Sequence, residues 1–338
     1  MKRCTRCILP ETFPGVHFDE EGVCQYCRRA PSPEQREAQK AHLRARFEEL
    51  VADVRSRPGY HCLVAWSGGK DSTYTLWLLK EQYGLHVLSF AFDNGFVSSQ
   101  ALKNMRTVAE NLQLDHTIVK PSFDVLKDVF VASTRPGMYS VKALQRASGV
   151  CNTCMTIAKG IGLRIAIEHE IPILAYGWSP GQIPLASAFL HFSPSMVQAA
   201  VDAAMAPLET VVNGRIMEYF PERQQLLDAK VLPYIVSPLA FLDYDEEEIL
   251  HRIRDLAWER PKDTDPNSTN CLLNGFASLI HVRQLGYNPY VMELAGLVRD
   301  GYMDREEALS RLKIDPVLPV LAAVEAKLGV RIPESGNR

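Results

Sequence analysis

The 338-residue sequence has no uninterrupted apolar run of about 20 residues, the length a membrane-spanning helix needs. Its opening, Met1-Lys2-Arg3-Cys4-Thr5-Arg6-Cys7, lacks the apolar stretch of a secretory signal. Both absences lead to the expectation of a cytoplasmic protein with no membrane partner. A basic excess is missing too. Lys and Arg number 37 against 40 Asp and Glu, a formal net charge of −3, whereas dedicated nucleic-acid binders carry a clear positive surplus. A small-molecule substrate is therefore favoured over tRNA. Two common nucleotide signatures are also absent. There is no Gly-x-Gly-x-x-Gly, and the Walker A pattern fails because Asp71 follows Lys70 and the upstream glycine spacing is lacking. What remains is an ordinary globular composition, with 46% hydrophobic and 23% charged residues, which excludes a disordered chain, a collagen and a coiled-coil rod.

Eight cysteines stand out against this background. Cys4-x-x-Cys7 and Cys24-x-x-Cys27 have the spacing of a four-thiolate zinc site. Each Cys-x-x-Cys turn offers two sulfurs, and Pro14-Gly15 and Glu21-Gly22 let the intervening segment fold back. Such a short segment buries little core of its own, so Zn²⁺ would supply its folding energy. Four thiolates leave no open position, which makes the metal structural. Unmetallated thiols or a redox role are the alternatives. Cys62 lies in an apolar strand and reads as a core residue.

Residues 31–57 are charged and periodic, with Leu43, Phe47, Leu50 and Val54 on one helical face. Pro58-Gly59 ends that helix. The next stretch is the most informative one. His61 to Trp66 reads as a buried strand, Ser67-Gly68-Gly69-Lys70-Asp71-Ser72 as a glycine-rich turn, and the sequence to about Gln82 as a helix. A strand, glycine turn and helix aim free backbone N–H groups and a positive helix end at phosphate. Lys70 adds charge, and the hydroxyls of Ser67 and Ser72 can donate to phosphate oxygens.

Ser67-Gly68-Gly69-Lys70-Asp71-Ser72 resembles the SGGxDS signature of the PP-loop ATP pyrophosphatases, adenine-nucleotide α-hydrolase-like enzymes of HUP-like parallel-sheet fold. The resemblance implies that ATP, with Mg²⁺, is split between its α and β phosphates. A substrate carbonyl oxygen is adenylated, pyrophosphate leaves, and a nitrogen or sulfur nucleophile then displaces AMP. It implies roles for Lys70 and Asp71 in catalysis and for all six loop residues in nucleotide binding. The surrounding pattern agrees with an α/β fold: strands at 86–92, 116–119 and 171–175 alternate with a helix at 98–112. In the family the second strand ends beside the adenosine, so Asp93 and Asn94 become candidate nucleotide contacts, with an ordinary turn as the alternative. Gly177 and Gln182 would face the same cleft after the fourth strand.

Cys151-Asn152-Thr153-Cys154 precedes a helix running to about His169, and Cys271 stands alone among polar residues. This pair with one distant cysteine resembles the three-cysteine ligation of a [4Fe–4S] cluster in PP-loop sulfurtransferases, including tRNA thiolation enzymes. Three ligands leave one iron open to an external sulfide. Soft thiolates suit iron–sulfur or zinc, and a persulfide and disulfide pair or unrelated thiols are further alternatives. Lys159 would assist as an acid or charge stabiliser, with a plain surface lysine as the other reading. A second resemblance points elsewhere. Cys4 to Thr12, Phe18 to Cys24 and the tail Leu297 to Leu309 look like N-acetyl sugar amidotransferases of bacterial surface-polysaccharide synthesis, which take ammonia from a glutaminase partner. As a group those enzymes lack the Cys151/Cys154 pair.

The expected organisation is a zinc-binding module (1–30), a linker helix (31–58), a PP-loop ATP pyrophosphatase domain (59–240) and a helical C-terminal region (241–338), in a homodimer. Glu246 to Glu248 read as a solvated helix start in preference to a Mg²⁺ site. Residues 183–240 are expected to pack on the sheet. Three functional readings follow: a sulfurtransferase using a separate sulfur donor, an amidotransferase forming an amidine, and a nucleotide-sensing binder that kept the loop.

Overall fold

A computed structural model describes residues 1–265 and 267–332. Six strands form one sheet in the order β3-β2-β1-β4-β6-β5: β1 (Cys62–Ala65), β2 (Val87–Phe92), β3 (Asp115–Val119), β4 (Ile173–Tyr176), β5 (Phe189–Leu190) and β6 (Tyr234–Val236). All neighbours are parallel except β5, which pairs antiparallel with β6. Parallel strands covered on both faces read as continuous apolar runs, which is how Cys62-Leu63-Val64 and Ile173-Leu174-Ala175 appear in the chain. Cys62, Val64, Ile173 and Ala175 enter one core with the helix Pro33–Val54, while Leu63, Leu88, Phe90 and Leu174 enter a second core on the other face. Ser32 caps the helix Pro33–Val54 in a reciprocal capping box with Gln35, and its expected face of Leu43, Phe47, Leu50 and Val54 is buried. Cys62 is fully buried, and burial pushes its thiol up.

Among the described residues one helix, Gly149–Glu168, is long and apolar enough on average to cross a membrane. It is the helix expected to run to about His169, and Lys159 and Arg164 interrupt its apolar run. In the fold it packs against β1, β2, β4 and the helices Phe123–Ser133 and Pro194–Val212, as a core helix does. Residues 183–240 do pack on the sheet. They supply β5, β6 and the helix Pro194–Val212, whose Val197, Val201, Leu208 and Val212 are buried.

Two features depart from the expected organisation. Residues 1–30 bury Cys4, Cys7, Ile8, Leu9, Phe13, Val23 and Cys24 to 3% exposure or less, in a core shared with Tyr287, Val291, Leu294, Ala295, Leu297 and Ala308. The module therefore buries far more core than its length suggests, because the C-terminal helices supply half of it. Nor does the core change at residue 240. Leu239, Phe241, Leu242, Ile249, Ile253 and Trp258 join the same cluster as Val64 and Leu76.

Candidate active site

The chain runs outward from β1 in both directions across the sheet, through β2 and β3 on one side and β4 and β6 on the other. The crevice at such a switch point, outside the strand carboxyl ends, is where open α/β sheets bind ligands. The Ser67–Ser72 loop fills that position. Gly68 sits at φ +78°, and a Cβ there would lie 2.9 Å from Met105 Cε and 3.0 Å from the Ala101 carbonyl, so only glycine fits the turn. Gly69 caps the helix Lys70–Trp77. The Ser72 and Thr73 hydroxyls donate to the Gly69 carbonyl at 3.1 and 2.8 Å, and the Ser67 and Ser72 hydroxyls meet at 3.1 Å. The Trp258 indole donates to the Gly68 carbonyl at 2.9 Å. These bonds hold the loop in shape from behind.

Lys70 Nζ contacts Asp71 Oδ1 and the Tyr244 hydroxyl, each at 2.8 Å, and Tyr244 donates to Asp71 at 3.1 Å. Lys70, Asp71 and Tyr244 line a cavity of about 350 Å³ together with Gln182, Glu246 and Glu293. Burial, and after it the charge of Asp71, raises the Glu293 carboxyl to about 7. Burial and the same charge raise the Tyr244 phenol. Glu246 lies 3.9 Å from Lys70, 3.8 Å from Arg260 and 3.6 Å from Arg311. It is thus a member of the cavity, while Glu247 and Glu248 are exposed as a solvated helix start would be.

The other expected nucleotide contacts take varied positions. A Cβ on Gly177 would lie 2.5 Å from Ser72 Cα, so this glycine lets the end of β4 touch the loop's helix, a steric role. Gln182 lines the cavity, its side-chain oxygen accepting from the Ser179 amide at 3.0 Å. Asp93 accepts from the Gly95 amide at 2.9 Å and pairs with Lys120 at 2.9 Å. Asn94 is turned toward sulfur. Its Oδ1 accepts from the Phe96 amide at 2.8 Å, and its Nδ2 lies 3.3 Å from Cys154 Sγ and 3.8 Å from Cys271 Sγ.

Cys271 reaches that position by pairing with the chain just beyond β2. Val97 and Cys271 form an antiparallel bridge, the Ser98 amide donates to the Asn270 carbonyl, and the Leu272 amide donates to Phe96, both at 2.9 Å. Cys151 and Cys154 occupy the first turns of the helix Gly149–Glu168, capped by Ser148, whose Oγ accepts from the Cys151 amide at 3.1 Å. Cys151 Sγ donates to Asn274 Oδ1 at 3.9 Å, and the Tyr290 hydroxyl donates to the same oxygen at 2.8 Å. Burial raises all three thiols, Cys151 to about 11. Lys159 packs over an aromatic ring. Its ammonium lies 4.7 Å from the centre of the Trp178 ring, which stacks on Tyr176, and desolvation lowers it.

The N-terminal sulfurs are arranged differently. Cys4 and Cys27 lie 3.8 Å apart, Cys7 and Cys24 3.7 Å apart, and all four sulfurs fall within 4.8 Å of one another. A tetrahedral ion bound at about 2.3 Å needs sulfurs about 3.8 Å apart, so this set fits one metal ion. Among the described residues no other Cys, His or carboxylate group is as compact. The second set, spread wider, is not drawn in around a single ion.

The loop before Cys271, expected from its Asp, Asn, Ser and Thr content to approach the site, does so through Thr269, whereas sequence reasoning did not find Tyr244, Glu293, Asn274 or Tyr290. None carries a local signal, since each meets the site from a segment more than 100 residues away from the loop or from Cys151.

Comparison with known proteins agrees with the loop. An uncharacterised protein of Methanocaldococcus jannaschii is 24% identical over 327 residues, covering 92% of this chain and 93% of its own length. Two solved structures align along most of the chain. One is the U34-tRNA thiolase NcsA of Methanococcus maripaludis with its [4Fe-4S] cluster, at 16% identity and TM-score 0.37, covering 93% of this chain and 90% of that one. The other is the NMN synthetase of Francisella tularensis, at 13% identity and TM-score 0.38, covering 91% and 100%. Residues 61–143, which open on β1 and the glycine loop, match the family described as Queuosine biosynthesis protein QueC. The segment that carries Ser67 to Ser72 is thus similar to that family.

Proposed function

We propose that this protein adenylates a substrate carbonyl oxygen with ATP and replaces that oxygen with sulfur. The observation that carries the reading is the meeting of Cys154 and Cys271, 117 residues apart in sequence, on one amide nitrogen of Asn94, at the carboxyl end of the strand next to the loop. In this scheme the Gly69 to Ser72 amides and Lys70 hold the phosphates and Asp71 keeps Lys70 in place. The carbonyl oxygen attacks the α phosphorus, and pyrophosphate departs from the loop. Sulfide from a sulfide-class donor then attacks the activated carbon, gives up its protons to solvent, and AMP leaves with the former carbonyl oxygen.

The donor set suits a [4Fe–4S] cluster. Cys151, Cys154 and Cys271 would hold it, with Asn94 Nδ2 donating toward two of the sulfurs, and when bound it would supply an open iron for the donor sulfide. Cys4, Cys7, Cys24 and Cys27 would hold a structural Zn²⁺. Mg²⁺ would accompany ATP, a small molecule in preference to tRNA would be the acceptor, and the enzyme would act in the cytoplasm as a homodimer.

One observation favours the amidotransferase reading. Three of the stretches that carry that resemblance, Cys4 to Thr12, Phe18 to Cys24 and Leu297 to Leu309, contribute to one core. Anaerobic purification followed by iron and acid-labile sulfide analysis tests the proposal. Iron and sulfide bound in the wild type and lost in Cys271→Ser support it. Iron-free protein that releases AMP and pyrophosphate with ammonia or glutamine, and not with sulfide, would hand first place to the amidotransferase.

A further inference from the structure

The amide of Lys70, one of the phosphate donors in the proposed scheme, already has a partner. It donates to the hydroxyl of Thr269 at 3.1 Å. The same oxygen lies 2.9 Å from where a Cβ of Gly69 would stand, and the side-chain oxygen of Asn270 lies 3.5 Å from that point. Thr269 also lines the cavity that holds Lys70, Asp71 and Glu293. An oxygen thus sits on the loop amide where the scheme places a phosphate oxygen. Thr269 is two residues before Cys271. Asn270 and Leu272 are tied to Ser98 and Phe96 just beyond β2, so three consecutive residues link the loop's amide to the cysteine pocket.

We infer that Thr269 is a phosphate-displaced latch coupling nucleotide occupancy to the position of Cys271. The Lys70 amide has one hydrogen to give, so a phosphate oxygen and the Thr269 hydroxyl exclude each other. When pyrophosphate or the phosphates of ATP take the amide, Thr269 leaves it. The backbone through Asn270 then shifts Cys271 relative to Asn94 and Cys154. With the loop empty, Thr269 stays on the amide and Cys271 keeps its bridge to Val97. Such a contact makes the position of Cys271 depend on whether phosphate occupies the loop. The inference rests on the loop binding phosphate as proposed, and Thr269 acts as a positioning residue.

The test uses the full chain with its N-terminal zinc retained and no iron–sulfur cluster reconstituted, kept reduced, with pyrophosphate as the probe. Binding is followed by calorimetry, and thiol reactivity by the iodoacetamide labelling rate of each cysteine peptide. In the wild type, saturating pyrophosphate should change the Cys271 rate several-fold while fully buried Cys62 is unaffected. Thr269→Val removes the hydroxyl at almost constant shape. Its Cys271 rate without ligand should match the wild-type rate with pyrophosphate, and ligand should change it no further. Pyrophosphate should also bind this variant about fivefold more tightly, the weight of one neutral hydrogen bond no longer competing. Thr269→Ser, which keeps the hydroxyl, should restore wild-type coupling. Tight pyrophosphate binding with an unchanged Cys271 rate, or a Thr269→Val protein that behaves as the wild type, overturns the latch and leaves the proposed function standing. Absence of any pyrophosphate binding overturns both.

Discussion

The guanidinium of Arg305 donates to the carbonyl oxygen of Cys7 at 3.1 Å, across 298 residues of sequence. With the Phe13 and Tyr287 rings packed edge to face at 5.1 Å, it joins the N-terminal cysteine module to the C-terminal helices. The helix Val291–Asp300 faces both ways. Leu294 and Leu297 lie in the core shared with the module, and both also line the cavity that holds Lys70.

Metal removal should therefore be felt at both ends of the chain. Chelation or Cys24→Ser is expected to release about one zinc per chain, the capacity of a four-thiolate site, and to lower hydrogen-exchange protection in residues 287–312 as well as in 1–30. Phe13→Ala, which empties the shared core, should cost about 3–5 kcal/mol. Metal-free protein with all four thiols freely titratable would contradict this, as would protection of 287–312 that chelation leaves untouched.

At the loop, Asp71→Ala removes the carboxylate that holds Lys70 and Tyr244. Pyrophosphate release should fall by about a hundredfold or more, the order seen when one preorganised electrostatic partner is lost, with the circular dichroism spectrum unchanged. Ser67→Ala should act in the same direction with a smaller loss. A crystal with nucleotide phosphates lying away from residues 67–72 would end this assignment.

Gly177→Ala brings a methyl group to 2.5 Å from the Ser72 backbone, where no flexible side chain can yield. The β4 end and the loop's helix must separate. Stability should drop by about 1–3 kcal/mol, and ATP affinity should fall with it. Thermal melts equal to wild type would show that the contact is not tight.

Glu293 links stability to pH. Burial raises its carboxyl to about 7, well above its unfolded value. Its neutral form is thus favoured by the fold, so its contribution is full below the unfolded value and is lost as pH rises toward and through 7. Glu293→Gln should match the wild-type melting temperature near pH 4.5 and exceed it by several degrees at pH 8. A constant difference across that range would place the carboxyl in ordinary solvent.

Asn94 tests the cysteine pocket. Asn94→Ala deletes the donor shared by Cys154 and Cys271 and should weaken retention of iron after anaerobic reconstitution about 10- to 100-fold, as outer-shell partners of metal ligands do. Asn94→Asp, which places a carboxylate beside the sulfurs, should do so more strongly. Iron retention equal to wild type in both variants would remove Asn94 from the pocket.

Local chemistry alone decided several elements. Ser67 to Ser72 read as a glycine turn capping a helix from local chemistry, because glycine allows the φ of +78° at Gly68 and the hydroxyls bond within the turn. The apolar runs of β1, β2 and β4 demand burial on both faces, which makes the sheet parallel and places the loop at its carboxyl edge. Cys4, Cys7, Cys24 and Cys27 lie close enough in sequence for their spacing to state their geometry. Tertiary structure decided the rest. Asn94 looked like a nucleotide contact because it ends a strand beside the loop, yet its amide points at sulfurs that come from 60 and 177 residues away. Glu246 read as a solvated helix start, since nothing local shows that Lys70, Arg260 and Arg311 converge on it. Residues 1–30 looked too short to build a core because half of that core is stored in residues 287–308. In each case the deciding partner is distant in sequence, and a side chain's chemistry follows from the charges and donors that folding brings within a few ångströms of it.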